Sequence, residues 1–532
     1  MQLKNNEYDA IVVGAGISGL IATAYLVREH YRVLLLEQND KIVGLVNSFT
    51  RQGFLFDTGI RAFENSGIIF PMLKQLGIKM DFAKSPASLK IGDDFVYFES
   101  KDSLNKYQEL LIKQFPIEKI NIQNIFLEIQ KIMNYMDVIY GIDNPLFMES
   151  FKDKEYVFKT LLPWLWKYQK NIKKAMKLNE PVNDFLSKFT KNQALIDIIS
   201  QHFFQNTPTF FALSYFGLYP DYSYPIGGTG AFPEKIANWI EQNKGEIKLN
   251  QKVVKVLIDK KTVFTNNGES FTYKKLVWAC DSKALYANLD YEDRVIPKSV
   301  LKQKWLLLEN KGGDSIFSLF LGVDLDPVYL KKHSGAHCFF TPTYVGVSAF
   351  GKLYPSFASK DEKIKWLILY LKNTTYEVSI PVLRDAHLAL PGQTGLMVST
   401  LMDYQFVKSI NEEGWYDEFK QLASETIIST LNQSLFPNFK DKIVYQDCSS
   451  PLTIARITGN SDGAITGWAF SNKKLPSETR MPKIARSILT PLPHVYQAGQ
   501  WSFSPSGVPI SILTGKLAAD KIKKQLKSKT TL

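Results

Sequence analysis

Gly14, Gly16 and Gly19 stand in the spacing G-x-G-x-x-G, and Glu37 follows 18 residues beyond the last of them. These residue types suit the diphosphate and ribose of a dinucleotide. Gly14 permits a tight turn, Gly16 lets the backbone approach a pyrophosphate, and Gly19 lets a helix pack closely on its strand. Ala15, Ile17 and Ser18 lie between the glycines, at a helix start whose unpaired N–H groups and positive dipole end favour phosphate. Glu37 is placed to accept hydrogen bonds from ribose hydroxyls and to repel a 2′-phosphate, and Gln38 adjoins it. The motif by itself leaves NAD and FAD both open.

The elements that must position these residues follow from hydrophobic pattern. Residues 10–13 are an apolar run that predicts a buried strand, 20–28 predict a helix, and 31–36 a second strand ending at Glu37. Together they make a βαβ unit. Residues 53–59 read as an aromatic-rich strand entering a tight turn at Asp57, Thr58 and Gly59. A short helix is expected over 69–76, and a hairpin over 89–98 with residues 92–94 at its turn. From about 101 to 216 glycine becomes scarce, and apolar residues recur at helical spacing: Tyr107, Leu110, Leu111 and Phe115, then Ile125, Phe126, Ile129, Ile132 and Met133. This predicts a mostly helical insertion. Residues 224–240 hold a glycine cluster opening a helix; 245–257, 262–273 and 276–279 read as strands. A second sheet domain is expected from about 300 to 484, with strands at 315–323 and 395–401 and a long helix at 413–435. The chain closes with a strand, a Gly-rich loop and a helix over 495–522, then a lysine-rich tail, 521–529, read as a solvated end.

Composition bounds the partners. At 532 residues two or three domains are expected, and 45% hydrophobic with 22% charged residues describes a globular chain. The net charge of +12 favours anionic partners such as acidic lipid head groups. The lysines are dispersed with no recognisable nucleic-acid module, so no nucleic acid is expected. Cys280, Cys338 and Cys448 are far apart, without C-x-x-C spacing, and fit a reducing compartment. No signal peptide is apparent, and no apolar run reaches the roughly 18 residues of a spanning helix. His333 and His337 are four apart without a third ligand, so no metal is expected. No triad or H-E-x-x-H stands out, and no catalytic residue is assigned. Trp164, Trp166 and Tyr168 are interleaved with Lys167, Lys170, Lys173, Lys174 and Lys177. That stretch fits either a cap helix with a solvated lysine face or a membrane-surface element.

The order of the motifs resembles the phytoene desaturase branch of FAD-dependent oxidoreductases, which includes carotenoid desaturases, carotenoid isomerases and retinol saturases. The stretches that carry the resemblance are the glycine motif with Glu37, Gly53-Phe-Leu-Phe-Asp-Thr-Gly59, Tyr224-Pro-Ile-Gly-Gly228, Ser379-Ile-Pro with Ala389-Leu-Pro-Gly392, Pro451-Leu-Thr with Arg456-Ile-Thr-Gly459, and Ala498-Gly499 through Pro505-Ser-Gly507-Val-Pro509. The resemblance implies an α/β fold, with a Rossmann-like FAD-binding domain assembled from discontinuous segments (1–100, 221–295 and 486–532). A mixed-sheet substrate domain (296–485) and a helical cap (101–220) complete it. FAD is then the implied cofactor. Gly499, Gln500, Gly507 and Val508 would face it from the C-terminal loop. Val253 and Val254 would sit in the strand that meets the adenine, and Gly44, Asp57 and Gly59 belong to the implied cofactor set, with Asp57 able to contact the flavin, to act as a base or, the plainer role, to cap the Asp57-Thr-Gly59 turn. The implied activity is desaturation of a long polyene, isoprenoid or lipid with hydride transfer to flavin, and quinone or oxygen as electron acceptor. Alternatives are isomerisation or saturation of a polyene, amine oxidation, or a flavin-deficient membrane-associated scaffold. A cytoplasmic location with peripheral membrane contact is expected. One departure stands out. The branch usually follows its ribose-binding Glu with a double glycine and an Arg, whereas this chain has Val43-Gly44-Leu45. Arg51 and Arg61 are the nearby candidates to replace the arginine, and Trp501 replaces small residues common in carotenoid desaturases.

Overall fold

Two sheets and a helical cap are built from segments that alternate along the chain. The computed structural model describes residues 6–528 apart from 43, 65, 149–154, 156, 293–294 and 352–357. The first sheet runs Leu289–Asp290, Val253–Leu257, Thr262–Thr265, Ser270–Trp278, Glu7–Val13, Val33–Leu36, Glu246–Lys248. Its centre is parallel: Glu7–Val13 lies between Ser270–Trp278 and Val33–Leu36. Both faces are covered, so the central strands read as continuous apolar runs. Helices Ile17–Arg28, Ala231–Gln242 and Val508–Lys527 pack on one face. The strand Ser270–Trp278 serves two partners on one edge. Its first half pairs with Thr262–Thr265, and its last three residues pair in parallel with Val495–Gln497. The C-terminal segment is thereby returned beside the N-terminal glycine motif.

The second sheet runs Ile443–Ser449, Ile316–Val323, Thr394–Leu401, Tyr376–Ser379, His337–Thr341, Ser88–Ile91, Asp94–Tyr97. Ile316–Val323 is buried on both faces, lying between two antiparallel neighbours. The hairpin Ser88–Tyr97 corrects the expected boundary at residue 100. Its first strand pairs in parallel with His337–Thr341, so it completes the second sheet and not the first. The long helix is Tyr416–Ser434, and its buried face (Phe419, Ala423, Ile427, Leu431) covers this sheet.

The cap is helical as its periodicity predicts, with Ser103–Gln114, Lys119–Tyr140, Gln193–Ser200 and Thr209–Leu218 closing over a core that includes Tyr107, Phe126, Ile129, Leu195 and Phe216. The tail is a second correction. Residues up to Lys527 continue the last helix, and Lys523 and Lys527 both pair with Glu29 at the end of the first helix. No helix among the described residues is long and apolar enough to cross a membrane.

Candidate cofactor and substrate site

The glycine motif forms a cavity wall because three local demands are met there. Gly14 has φ +99°, in the left-handed region where a side chain is strained. A Cβ on Gly19 would lie 1.9 Å from the carbonyl oxygen of Gly14, so only glycine lets the helix start this close to the strand. Gly16 is different: a Cβ there would meet no protein atom within 4 Å, and the residue lines the cavity. It is also the N-cap of Ile17–Arg28, and no side chain caps that helix. Gly507 is likewise the N-cap of Val508–Lys527, again with no side-chain cap. Two uncapped helix N-termini therefore border one cavity of about 240 Å³. Their unpaired N–H groups and dipoles favour a dianionic diphosphate between them. The helices cross closely because they meet on small residues. Gly515 sits against Ser18, and the Gly499 N–H donates to Thr514 Oγ1 at 2.9 Å.

Glu37 lines the same cavity. Its carboxylate accepts from the Ala15 N–H at 2.8 Å and from the backbone and side chain of Asn39 at 3.0 and 2.7 Å. Those bonds hold the carboxylate in place and tie the glycine loop to the end of the second strand. Gly14, Gly16, Ile17, Ser18, Gln38, Gly44, Gln500, Gly507 and Val508 line this cavity too. Ala15 and Gly19 lie behind it and act through backbone packing, as does Gly499, whose Cβ would meet Ser18 Oγ at 2.7 Å.

Three expectations are corrected. Val254 is 43% exposed and points away; its neighbour Val253, 5% exposed, faces the cavity with Gln251 and Lys252 because side chains alternate along a strand. Asp57 lines neither cavity. Its carboxylate accepts from Ser48 Oγ (2.7 Å), Tyr224 Oη (2.7 Å), the Thr229 N–H (2.9 Å) and Thr229 Oγ1 (2.8 Å), binding the 53–59 strand to the start of Ala231–Gln242. Gly59 packs against the Leu45 carbonyl and lines a second cavity instead. Neither candidate arginine borders the first cavity. Arg51 is exposed with its guanidinium over Phe49, and Arg61 is buried in the second cavity. Among the described residues the cation lining the first cavity is Lys252, which has no glycine or proline signature to mark it in sequence. Val43 lies outside the described residues. Trp501 is part of the wall, its indole N–H donating to Asn460 Oδ1 at 3.2 Å and its ring edge-on to Trp468.

The second cavity, of about 280 Å³, shares Leu45, Ile60, Ile465, Gly507 and Val508 with the first. Its walls are aromatic on the cap side (Phe203, Phe204, Phe211, Tyr215, Tyr219, Tyr222) and polar on the sheet side (Arg61, His337, Glu377, Ser399). His337 Nε2 contacts Glu377 Oε1 at 2.9 Å. Burial holds the His337 imidazole below its usual range, against the pull of the neighbouring Glu377 carboxylate. Burial alone would raise Glu377, but the bond from His337 and the nearby Arg61 and Arg384 hold it below the ordinary carboxylate range. Burial also pushes the Glu64 carboxyl up to about 7. Neither member of the polar pair is legible from sequence, because residues 337 and 377 meet only through strand pairing.

A discontinuous dinucleotide sheet with two uncapped helix ends facing one cavity, and a second cavity adjoining it under a helical cap, is an arrangement that suits a flavoprotein. Residues 17–351 match the model of the flavin containing amine oxidoreductases. The chain belongs to that family, in the branch of carotenoid desaturases, carotenoid isomerases and retinol saturases. It is 25% identical over 554 residues to "Prolycopene isomerase 2, chloroplastic" of an Oncidium hybrid cultivar, covering 97% of this chain and 84% of the relative. It is 23% identical over 531 residues to a 1-hydroxycarotenoid 3,4-desaturase of Flavobacterium sp. (strain P99-3), covering 96% and 98%. A redesigned putrescine oxidase shares the fold at a TM-score of 0.61 and 13% identity, with 98% and 99% of the two chains covered.

Proposed function

We propose that the chain binds FAD in the first cavity and acts on a long polyene or isoprenoid in the second, by desaturation. The single observation that carries this is the shared wall at Leu45, Ile60, Ile465, Gly507 and Val508, where a cofactor held by the first cavity would meet a cavity lined with aromatic side chains. The residues present fit FAD: Gly16 leaves open space for a diphosphate, Gly507 and Gly14 flank it, and Glu37 keeps one lone pair, on Oε2, for a ribose hydroxyl. FAD supplies reversible hydride acceptance when bound. The chain positions an apolar substrate along aromatic side chains and excludes water from the reacting carbons. The similarity to an isomerase favours a second reading, in which the redox change cancels within one turnover. Anaerobic photometry of FAD-loaded protein with a polyene separates the two. Desaturation bleaches the flavin on substrate addition; isomerisation changes the polyene spectrum with no net flavin change. A protein that stays colourless when FAD is supplied would overturn both.

Peripheral membrane contact, from a cytoplasmic location that three free thiols support, completes the proposal. The helix Leu162–Ala175 buries Ile172 and Ala175 against the cap and ties itself down through Trp164, whose indole N–H donates to Val138 O at 2.6 Å. On the outside Phe158, Leu162, Leu165 and Trp166 are exposed at 67, 47, 38 and 71%, a stripe at helical spacing flanked by Lys159, Lys167 and Lys170. Apolar side chains ringed by lysines suit an anionic bilayer surface. Flotation with anionic vesicles at low salt should carry the protein, and Leu162→Glu with Trp166→Glu should release it, since each buried apolar side chain contributes about 1.5–3 kcal/mol. A wild-type protein that does not float at low salt would reject the contact.

A further inference from the structure

Glu64 lines the second cavity, and among the described residues its carboxylate draws only on the backbone N–H of its own residue. Protein encloses the residue, which is what raises the carboxyl to about 7, yet Glu64 keeps accessible surface, and that surface opens on the cavity it lines. It stands four residues beyond Ile60, which belongs to the wall shared by the two cavities, so the chain holds it within about 14 Å of that wall. The other titratable groups around the cavity are committed or out of reach. Glu377 and His337 hold each other at 2.9 Å, and Arg61 donates to Ser399 Oγ at 2.7 Å and to the Asp57 carbonyl. Both ring nitrogens of His202, and Nδ1 of His337, are buried beyond the reach of a ligand. Tyr215, Tyr219 and Tyr222 are phenols, and burial raises the last two well above their usual range. The Glu64 charge adds to the rise at Tyr222, a side chain of the same cavity wall.

We propose that Glu64 is the catalytic base of the desaturation, its carboxylate taking a proton from a substrate carbon. The proposal rests on the polyene reading and supplies the proton acceptor that reading lacks. Desaturation breaks two C–H bonds on adjacent carbons. One hydrogen leaves with both bonding electrons for the oxidised flavin. The other leaves as a proton for the Glu64 carboxylate, and its bonding electrons become the new double bond. The proton returns to solvent once the product leaves. Hydride loss puts positive charge on the substrate, and an ionised carboxylate in a low-dielectric cavity stabilises that charge as well as accepting the proton. A carboxyl that titrates near neutral pH can both take up and release the proton in each turnover. For folding alone, an unpartnered carboxylate in an aromatic cavity is a cost.

The test is anaerobic mixing of FAD-loaded protein with a polyene, read as flavin bleaching at pH values on both sides of neutrality. In the unmodified protein the bleaching rate should rise about tenfold per pH unit on the acid side and level off above about 7, because only the ionised form accepts a proton. Glu64→Gln should slow bleaching about 100- to 10,000-fold and remove the inflexion, with flavin content and polyene affinity, read by tryptophan quenching, little changed. Glu64→Asp, which keeps a carboxyl on a shorter stem, should recover part of the rate and the inflexion. A second readout needs no turnover. Infrared difference spectra of the unmodified protein against Glu64→Gln isolate the carboxyl band, and a saturated hydrocarbon of the polyene's length, once quenching shows it bound, should raise the midpoint of that band by displacing water from the carboxylate. Should Glu64→Gln fail to fold, the pH profile of the unmodified protein still decides. An unslowed Glu64→Gln, a rate without an inflexion near neutrality, or a midpoint that the bound hydrocarbon leaves in place overturns the inference and leaves the polyene reading standing. Flavin or polyene affinity lost in step with the rate in both variants makes Glu64 structural and overturns it too. Absence of bleaching in the unmodified protein at every pH overturns the desaturation reading and the inference with it.

Discussion

Asp57→Ala should lower unfolding stability by about 3–5 kcal/mol while leaving the flavin content of the remaining folded protein close to normal. The carboxylate is fully buried and accepts four hydrogen bonds from three residues, so its removal strands donors on Ser48, Tyr224 and Thr229 together. It also leaves Arg61 and Arg384 facing Glu377 alone, and an uncompensated buried guanidinium is the costlier half of the change. Arg384 lies 3.8 Å from the centre of the Tyr224 ring and donates to the Arg61 carbonyl at 3.0 Å, so both cations share the disturbance. Tyr224→Phe, which deletes one of the four bonds, should cost only about 1 kcal/mol. Urea unfolding of the three proteins, with flavin absorbance per mole of folded protein, makes the comparison. Loss of flavin from Asp57→Ala at unchanged stability would return Asp57 to the cofactor and refute its assignment as a strut.

Gly16→Ala and Gly19→Ala should fail in opposite ways although they are three residues apart in one motif. At Gly19 the added Cβ would sit 1.9 Å from the Gly14 carbonyl oxygen, a backbone atom of a residue whose own N–H is bonded to the Leu36 carbonyl at 2.8 Å. The helix must shift off the strand, at a cost on the order of 3 kcal/mol or more. At Gly16 the Cβ enters empty cavity, so stability should change by no more than about 1 kcal/mol, the N-cap preference for glycine over alanine. There the loss should appear as flavin affinity weakened about 10- to 100-fold, measured by fluorescence titration of the stripped protein, because the methyl occupies the approach to the diphosphate. Equal loss of stability in both variants would contradict the open space at Gly16.

Elements set by near neighbours are legible in the amino-acid sequence. The βαβ unit, the 69–76 helix, the hairpin turn at residues 92 and 93, and the cap's helical periodicity each rest on contacts within a few residues, and the structure has them at or near their expected bounds. The pairing of the N-terminal glycine motif with the loop from Gly499 to Gly507 comes from a resemblance in motif order, since nothing in either segment alone announces the other. The error at Val254 is of a different kind. Choosing between adjacent valines needs the register of the strand, and a one-residue slip exchanges inside for outside.

What the sequence determined by itself is the local chemistry: a turn that tolerates only glycine, a helix start without a cap, an acid at the end of a second strand, and an apolar stripe with lysines beside it. Tertiary structure alone decided which residues share a space. It moved Asp57 from the expected cofactor set to a buried junction, put Arg61 in the second cavity and not the first, and brought His337 and Glu377 together across two strands. The physical reason is range. Backbone conformation and amphipathic period are written in neighbouring residues, whereas hydrogen-bond partners and charge balance in a cavity depend on strands that pair hundreds of positions apart, such as Cys338 with Ser88 and Val495 with Leu276.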